Sequence, residues 1–264
     1  MKLCMICKSD MCKIFTHLLL GKYDVDYFHC KSCNLIQTEK PYWLDEAYSE
    51  AIGIFDTGIL TRNMAFKKKT AKIIKVFFNK GGLFLDYGGG YGVFTRLMRD
   101  IGYDFVHNDP YATNIFAKGF EYQENMKTDG VTAFEVFEHT YNPNDILDKV
   151  FNTMNAQFLI FSTVLFGNSV PDPNTWWYYN FKGGQHITLY SMTTLKHLAQ
   201  KYQVNLYSNG TNFHLFSHKK INSYAFRLIT SKYSNFLPVK FPSKIEDDYH
   251  YLLNRLKNMP SSIA

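Results

Sequence analysis

The chain has 264 residues, 46% of them hydrophobic and 20% charged, with a formal net charge of +6. That length buries one sizeable core with room for a small appendage, and the composition is that of an ordinary soluble globular protein. No run approaches the roughly 20 apolar residues of a membrane span, and the N-terminus lacks a signal peptide's continuous apolar stretch, so a cytoplasmic location without a membrane partner is expected.

The chain opens with four of its five cysteines in two short pairs, Cys4-Met-Ile-Cys7 and Cys30-Lys-Ser-Cys33. Each Cys-x-x-Cys knuckle can aim two thiolates at one ion, and two knuckles complete a closed tetrahedral site, for which Zn²⁺ fits best. With no open coordination position, such a zinc is structural. Disulfides are the competing reading; the paired spacing and the expected compartment count against them. Cys12 fits neither knuckle and reads as a free thiol, and His17 and His29 are not needed beside four thiolates. Lys13 to Leu20 and Tyr23 to His29 read as the strands of a zinc ribbon over residues 1–42, too small to bury a core alone and folded by its metal.

Pro41 and the following Tyr-Trp-Leu open a linker, and residues 43–264 are expected to form the main domain. A helix is predicted from Thr61 to Asn79, with Ala65, Ile73, Ile74, Phe77 and Phe78 on its apolar face and Lys67 to Lys69 and Lys72 mostly off it. After Lys80-Gly-Gly82, the run Leu83-Phe-Leu reads as a buried strand ended abruptly by Asp86. Gly88, Gly90 and Gly92 follow; lacking Cβ, they let a bulky ligand lie against the backbone before the next helix begins at Val93. The alternation continues with helix 93–101, strand 103–108, strand 131–136, helix 143–154 and strand 157–163. That pattern predicts an α/β fold, a parallel sheet with helices on both faces and ligands beyond the carboxyl ends of the strands, where Asp86, Asp109 and Glu135 to His139 fall.

The glycine loop separates three cofactor classes. Gly92 is followed by Val-Phe-Thr rather than Lys-Ser/Thr, which argues against a P-loop. The spacing acid-x-Gly-x-Gly-x-Gly differs from the dinucleotide fingerprint Gly-x-Gly-x-x-Gly, and a carboxylate at Asp86 repels a pyrophosphate but suits a ligand carrying an ammonium group.

Beyond Ser162 a long loop passes Gly167, Pro171 and Pro173 and carries Trp176-Trp-Tyr-Tyr-Asn180 and Gly183-Gly-Gln-His186; a loop this aromatic is expected to cover a substrate. Ser191-Met-Thr-Thr caps a helix to Lys201, and Val204 to Ser208 with Asn212 to His218 read as a closing antiparallel hairpin. Tyr224 to Lys257 reads as helical and amphipathic, interrupted at Pro238 and Pro242, with a homodimer contact as one of its possible roles. The basic runs Phe66-Lys-Lys-Lys69 and His218-Lys-Lys220 read as a solvated helix face and a strand end. They form no stripe with interleaved aromatics, so no nucleic-acid partner is expected, while a basic surface favours a small phosphate-bearing substrate.

Three segments in order, Asp86-Tyr-Gly-Gly-Gly-Tyr-Gly92, Tyr103-Asp-Phe-Val-His-Asn-Asp109 and Gly130-Val-Thr-Ala-Phe-Glu-Val-Phe-Glu-His139, resemble those of class I S-adenosylmethionine-dependent methyltransferases. The resemblance implies a Rossmann-like doubly wound sheet with a closing antiparallel strand. It also implies a glycine loop of Gly88, Gly90 and Gly92 against the methionine and ribose of the cofactor, and Asp109 on both ribose hydroxyls. Asp86, Glu135 and Arg62 join the cofactor side; Arg62, in the segment with Tyr48 and Asp56, would meet the cofactor carboxylate through its planar fork, with a surface salt bridge as the alternative. The Trp-Trp-Tyr-Tyr...Gly-Gln-His stretch resembles the acceptor side of bacterial sugar methyltransferases, several of which carry an N-terminal Cys₄ zinc module.

The resemblance therefore implies methylation of a sugar hydroxyl, the acceptor being a nucleotide-linked sugar of polysaccharide biosynthesis. Proton removal then asks for a base that titrates near neutrality, His186 first and His139 second, with Glu138 beside it. Glu135, Glu138 and His139 alone fall short of a ligand set for a divalent ion. Methylation of a sugar carbon next to a keto group is the rival within enzymes. A nucleic-acid methyltransferase and a binding module with a degenerate cofactor fold are rivals from other classes. The intact Asp86, Gly88, Gly90 and Asp109 argue against degeneracy, and Asn108-Asp-Pro-Tyr111 sits after the wrong strand for a base N-methylase.

Overall fold

In chain order the strands β1 (Lys2–Leu3), β2 (Asp10–Leu19), β3 (Tyr23–Cys30) and β4 (Leu35–Thr38) lead to helices α1 (Leu44–Ala47) and α2 (Ile59–Phe77). The middle of the chain runs β5 (Leu83–Tyr87), α3 (Val93–Arg99), β6 (Asp104–Asn108), β7 (Gly130–Ala133), α4 (Pro143–Leu147) and β8 (Phe158–Ser162). The last third holds β9 (Leu165–Phe166), β10 (Thr188–Ser191), α5 (Met192–Lys201), β11 (Asn205–Ser208), β12 (Phe213–Ser217), α6 (Ser223–Thr230) and α7 (Ile245–Lys257). The structure, a computed structural model, describes residues 2–48, 56–124, 126–231 and 242–257.

The strands sort into two sheets. One, in the order β11-β12-β8-β7-β5-β6, is the Rossmann-like sheet: β5 lies parallel to β6 and β7, β7 lies parallel to β8, and β12 closes antiparallel on β8 with β11 outside it. Its central strands are buried on both faces, and their period-two alternation divides the core. Phe84, Phe105, Phe158 and Ile160 face α2 and α3, packing on Phe66, Ile73, Ile74, Phe94 and Met98. Their neighbours Leu85, Val131, Leu159 and Phe161 face the opposite layer of Leu147, Val150, Phe151, Leu195 and Leu198. A one-residue slip would exchange these sets, so the register is strongly specified. Helix α5 starts where expected because Ser191 and Thr194 form a reciprocal capping box.

Several boundaries differ from the sequence expectation. The strand expected over 131–136 ends at Ala133, because Glu135 takes a left-handed φ of 55° and a 3₁₀ turn follows over Phe137–His139. The helix expected over 143–154 is α-helical only to Leu147 and continues as a π-helical stretch over Asp148–Thr153. On α2, Lys72 is buried and Ala65 is exposed; the aliphatic stem of a lysine can line apolar surface where a strict polarity rule would place it outside.

The other sheet has the order β1-β2-β3-β4-β10-β9. The antiparallel strands of residues 2–38 are therefore continued by β10 and β9 from the segment expected to be an irregular loop. That segment also contains a 3₁₀ turn at Trp177–Tyr179. An aromatic core joins the two parts: Leu19, Val25, Tyr27, Ile36 and Trp43 pack with Phe166, Tyr178, Tyr179, Ile187 and Leu189. At the C-terminus α6 and α7 are helical as expected, and the intervening stretch with Pro238 lies outside the described residues. Helix α7 is tied to the end of α3 by a buried ion pair in which Arg99 Nε and Nη2 donate to Asp248 at 2.8 and 2.6 Å. Among the described residues, no helix is long and apolar enough to cross a membrane.

Candidate active site

At the carboxyl end of β5 the chain meets the carboxyl end of β6, because the parallel register sets Asp86 opposite His107 and Tyr87 opposite Asn108. The Gly88 N–H then donates to the Asn108 carbonyl at 2.8 Å, and the Gly90 N–H donates to Asp109 Oδ2 at 2.8 Å. The other oxygen of Asp109 accepts from the Tyr111 and Ala112 amides at 2.8 and 2.9 Å. Three donors leave lone-pair capacity on a carboxylate that can accept about four hydrogen bonds, so Asp109 can still receive a ligand hydroxyl. His107 supports the loop from behind, with its Nε2 2.8 Å from the Gly90 carbonyl.

The three glycines serve different ends. Gly88 (φ 68°) and Gly92 (φ 84°) are required from within, since a Cβ would lie 2.5 Å from Val136 Cγ2 in the first case and 2.4 Å from Asn114 Oδ1 in the second. Gly90 (φ 56°) has nothing within 4 Å of its would-be Cβ. It faces open space, the place where a ligand could approach backbone directly. Asp86 does not share that space: it is buried, with Oδ2 accepting from the Thr95 hydroxyl and Oδ1 from the Thr132 hydroxyl, both at 3.0 Å. Burial pushes its carboxyl up to about 6, against the nearby His107 ring. Its visible work is to join β5 to α3 and β7 behind the loop.

Beyond β7 the left-handed turn at Glu135 brings three acceptor-side groups together. Ligand atoms of Glu138, His139 and His186 all lie within 4.8 Å of one another, although 47 positions separate His139 from His186. The two imidazole rings meet edge to face at 5.1 Å. His186 Nδ1 lies 2.6 Å from the Tyr178 carbonyl, which can only accept, so Nδ1 carries the hydrogen and Nε2 presents a lone pair. His139 Nδ1 is 2.7 Å from the Tyr48 hydroxyl. Tyr48 also stacks on Tyr111 at 5.6 Å and so links this cluster to the loop that carries Asp109.

Burial dominates the electrostatics of the cluster. Glu138 is 0% exposed, and among the described residues neither carboxylate oxygen has a hydrogen-bond partner in good geometry, although the Tyr178 and Thr163 hydroxyls lie close enough to favour its charged form weakly. Its carboxyl is pushed up to about 8, first by burial and then by the negative charge of Glu135. Burial holds His186 down to about 4 and His139 well below its ordinary value, the latter also opposed by the neighbouring His186. At neutral pH the pocket thus offers two neutral imidazoles, lowered by burial below the near-neutral titration expected of the base, and a carboxyl that carries its proton.

Two of the residues expected on the cofactor side are engaged with protein. Glu135 accepts from the Ser162 hydroxyl at 2.6 Å, and its other oxygen lies 3.6 Å from Arg62 Nε. Arg62 Nη2 pairs with Asp56 at 2.7 Å. The fork of Arg62 therefore meets two of the chain's own carboxylates, the salt-bridge alternative. Residues 49–55 of the same expected covering segment lie outside the described residues.

A family model described as a methyltransferase domain matches residues 61–209, more than half of the chain. The chain belongs to this methyltransferase family, and with it to the S-adenosylmethionine-dependent methyltransferases. No curated protein matches the sequence. Among solved structures, the methyltransferase is similar to the 1,6-didemethyltoxoflavin-N1-methyltransferase of Burkholderia thailandensis, at 12% identity and a TM-score of 0.48 over 79% of this chain and 100% of that one. It is similar to an O-methyltransferase family 2 protein of Planctomyces limnophilus, at 14% identity and a TM-score of 0.43 over 66% of each chain. It is also similar to CalO1, a methyltransferase of calicheamicin biosynthesis, at 13% identity and a TM-score of 0.42 over 67% of this chain and 60% of that one. The methyltransferase thus spans about two thirds or less of the length of the last two, and at these values none bears on its acceptor.

A second cluster lies away from the loop. The sulfurs of Cys4, Cys7, Cys30 and Cys33 all fall within 4.8 Å of one another, with Cys4 to Cys33 at 3.5 Å and Cys7 to Cys30 at 3.4 Å. Tetrahedral Zn²⁺ with Zn–S of about 2.3 Å spaces its sulfurs by about 3.8 Å, so the four thiols fit such an ion with little movement. A sulfur hydrogen bond from Cys33 pulls the Cys4 thiol down to about 5 and holds that of Cys33 up, as in a pair sharing one proton. Cys12 is exposed and stands apart from the cluster.

The contact of His107 with the glycine loop shows only once the β5–β6 register is known. Tyr178 was visible only as part of an aromatic run. Its partner Tyr179 belongs to the aromatic core, while Trp177 is 73% exposed.

Proposed function

We propose that this methyltransferase methylates a hydroxyl of a sugar, carried on a nucleotide and destined for polysaccharide, with His186 as general base. The observation that carries the reading is the convergence of His186 with His139 and Glu138 in a buried pocket that Tyr48 connects to the cofactor loop. The cofactor supplies a methyl group activated on a sulfonium. Gly90 and Asp109 offer backbone and carboxylate to it, while Gly88 and Gly92 let the loop turn. The lone pair on His186 Nε2 receives the proton of the acceptor hydroxyl, and the Tyr178 carbonyl holds the ring in that tautomer. Once ionised, Glu138 provides the negative charge that an imidazolium needs in a dry pocket, so turnover should rise as pH passes through about 8. Cys4, Cys7, Cys30 and Cys33 hold a structural Zn²⁺ in this reading.

Incubation with nucleotide-sugars and mass spectrometry for a gain of one methyl tests the acceptor class. With the acceptor in hand, His186→Ala should lower kcat about 100-fold or more; full turnover in that variant removes His186 as base. The orphaned oxygens of Glu138 favour a second reading, in which Glu138, His139 and His186 hold a divalent ion that acidifies the same hydroxyl. Turnover that rises with added Mn²⁺ in zinc-loaded protein selects the ion, and indifference to Mn²⁺ selects the base.

A further inference from the structure

The four-cysteine cluster and the acceptor-side histidine are remote in sequence, yet one sheet contains the supports of both. Strand β4 begins two residues after Cys33 and pairs with β10, Ile36 opposite Leu189 and Gln37 opposite Thr188. Thr194, in the capping box of α5, donates to the carbonyls of both Cys33 and Asn34, at 2.9 and 2.8 Å. The Thr38 amide donates to the Ile187 carbonyl, adjacent to His186, at 3.0 Å. Two residues before His186, the carbonyl of Gly184 accepts from the buried indole N–H of Trp43 at 2.8 Å. The ring of Phe181 stacks on His17 at 3.6 Å, and its carbonyl accepts from the Leu20 amide. The cofactor groups stand on the other sheet: Asp86, the glycine loop and Asp109 are positioned by β5, β6, α3 and Thr132 of β7.

We propose that the cysteine cluster, closed by its metal, is chiefly the scaffold of the acceptor half, and that Trp43 is a positioning residue for His186. The proposal rests on the reading of His186 as an acceptor-side residue. The physical argument is one of connectivity. Strands β1 to β4 are four of the six strands of this sheet, and the metal knot of Cys4, Cys7, Cys30 and Cys33 ties their ends together. β10 pairs with β4 at Thr188 and Leu189, the end nearest His186, and with β9 farther along, and His186 lies on the segment that β10 and Trp43 anchor. Loosening the knot frees the backbone around His186, while the glycine loop, whose strands share a buried core with Cys4, Cys30 and Cys33, keeps its own hydrogen-bonded supports.

The test compares zinc-loaded protein, checked for one zinc per chain, with protein stripped by a chelator. Amide hydrogen exchange over residues 181–191 and 83–109 and calorimetric binding of S-adenosylmethionine are measured on both. Removal of zinc should speed exchange over 181–191 about 100-fold or more, with exchange over 83–109 and cofactor affinity within about twofold. Unchanged exchange over 181–191, or equal loss in both regions together with cofactor binding, overturns the proposal.

Trp43→Phe keeps an aromatic ring and the cysteines, and removes the indole donor together with part of the buried ring. It should retain zinc and cofactor affinity, yet speed exchange of the His186 imidazole Nδ1–H, seen by nitrogen-15 NMR, about tenfold. An unaltered Nδ1–H signal in Trp43→Phe overturns the role given to Trp43. Absence of cofactor binding by the zinc-loaded protein itself would instead count against the proposed function.

Discussion

Replacing Glu138 by Gln should remove a pH dependence of stability that the folded pocket imposes. The carboxyl of Glu138 is raised from 4.5 to about 8, chiefly by burial. Between pH 6.5 and 8 the unfolded chain has already released this proton while the folded chain still holds it, so the folded state binds more protons and stability falls as pH rises. The slope approaches about 1.4 kcal/mol per pH unit, which gives about 2 kcal/mol between pH 6.5 and 8. The lowered histidines, His139 and His186, are still about half protonated in the unfolded chain at pH 6.5, so they act with the opposite sign at the lower end of this window, equally in both proteins. Glutamine leaves polar atoms unpaired at every pH, a cost of about 1–3 kcal/mol that does not vary with pH. The comparison therefore lies in the slope and not in the absolute stability. Urea unfolding followed by tryptophan fluorescence at several pH values, in buffer without added divalent ions, measures it. Across the window wild-type protein should lose about 2 kcal/mol relative to Glu138→Gln. Equal slopes in the two proteins would refute the reasoning.

Two further outcomes follow from the geometry. Asp109→Ala should abolish calorimetric binding of S-adenosylmethionine, because it removes both the carboxylate and the anchor of the Gly90 amide; unaltered affinity would move the cofactor elsewhere. Asp248→Asn should destabilise the protein by about 3 kcal/mol, since Arg99 and Asp248 are each 5% exposed and one charge would be left buried with fewer partners. A melting temperature equal to wild type would mean that α7 does not dock through this pair.

Local chemistry was legible wherever one segment carried the whole signal. The acid, the spaced glycines and the second acid at Asp109 follow from short offsets along a strand, a turn and the next strand. The two Cys-x-x-Cys knuckles are equally local, and so is the Ser191–Thr194 cap. The alternation of strands and helices predicted the α/β fold, and the resemblance of three short segments to class I methyltransferases implied the cofactor class.

Tertiary structure decided what lies across the sheets. That Asp86 turns inward to Thr95 and Thr132, and that Glu135 and Arg62 meet each other, depends on which strand end faces which helix. No offset in the sequence relates Glu138 and His139 to His186; the pairing of β4 with β10 and the left-handed turn at Glu135 bring them together. The burial that raises the Glu138 carboxyl belongs to this assembled pocket as well, because desolvation is a property of everything packed around a group and not of its neighbours in the chain.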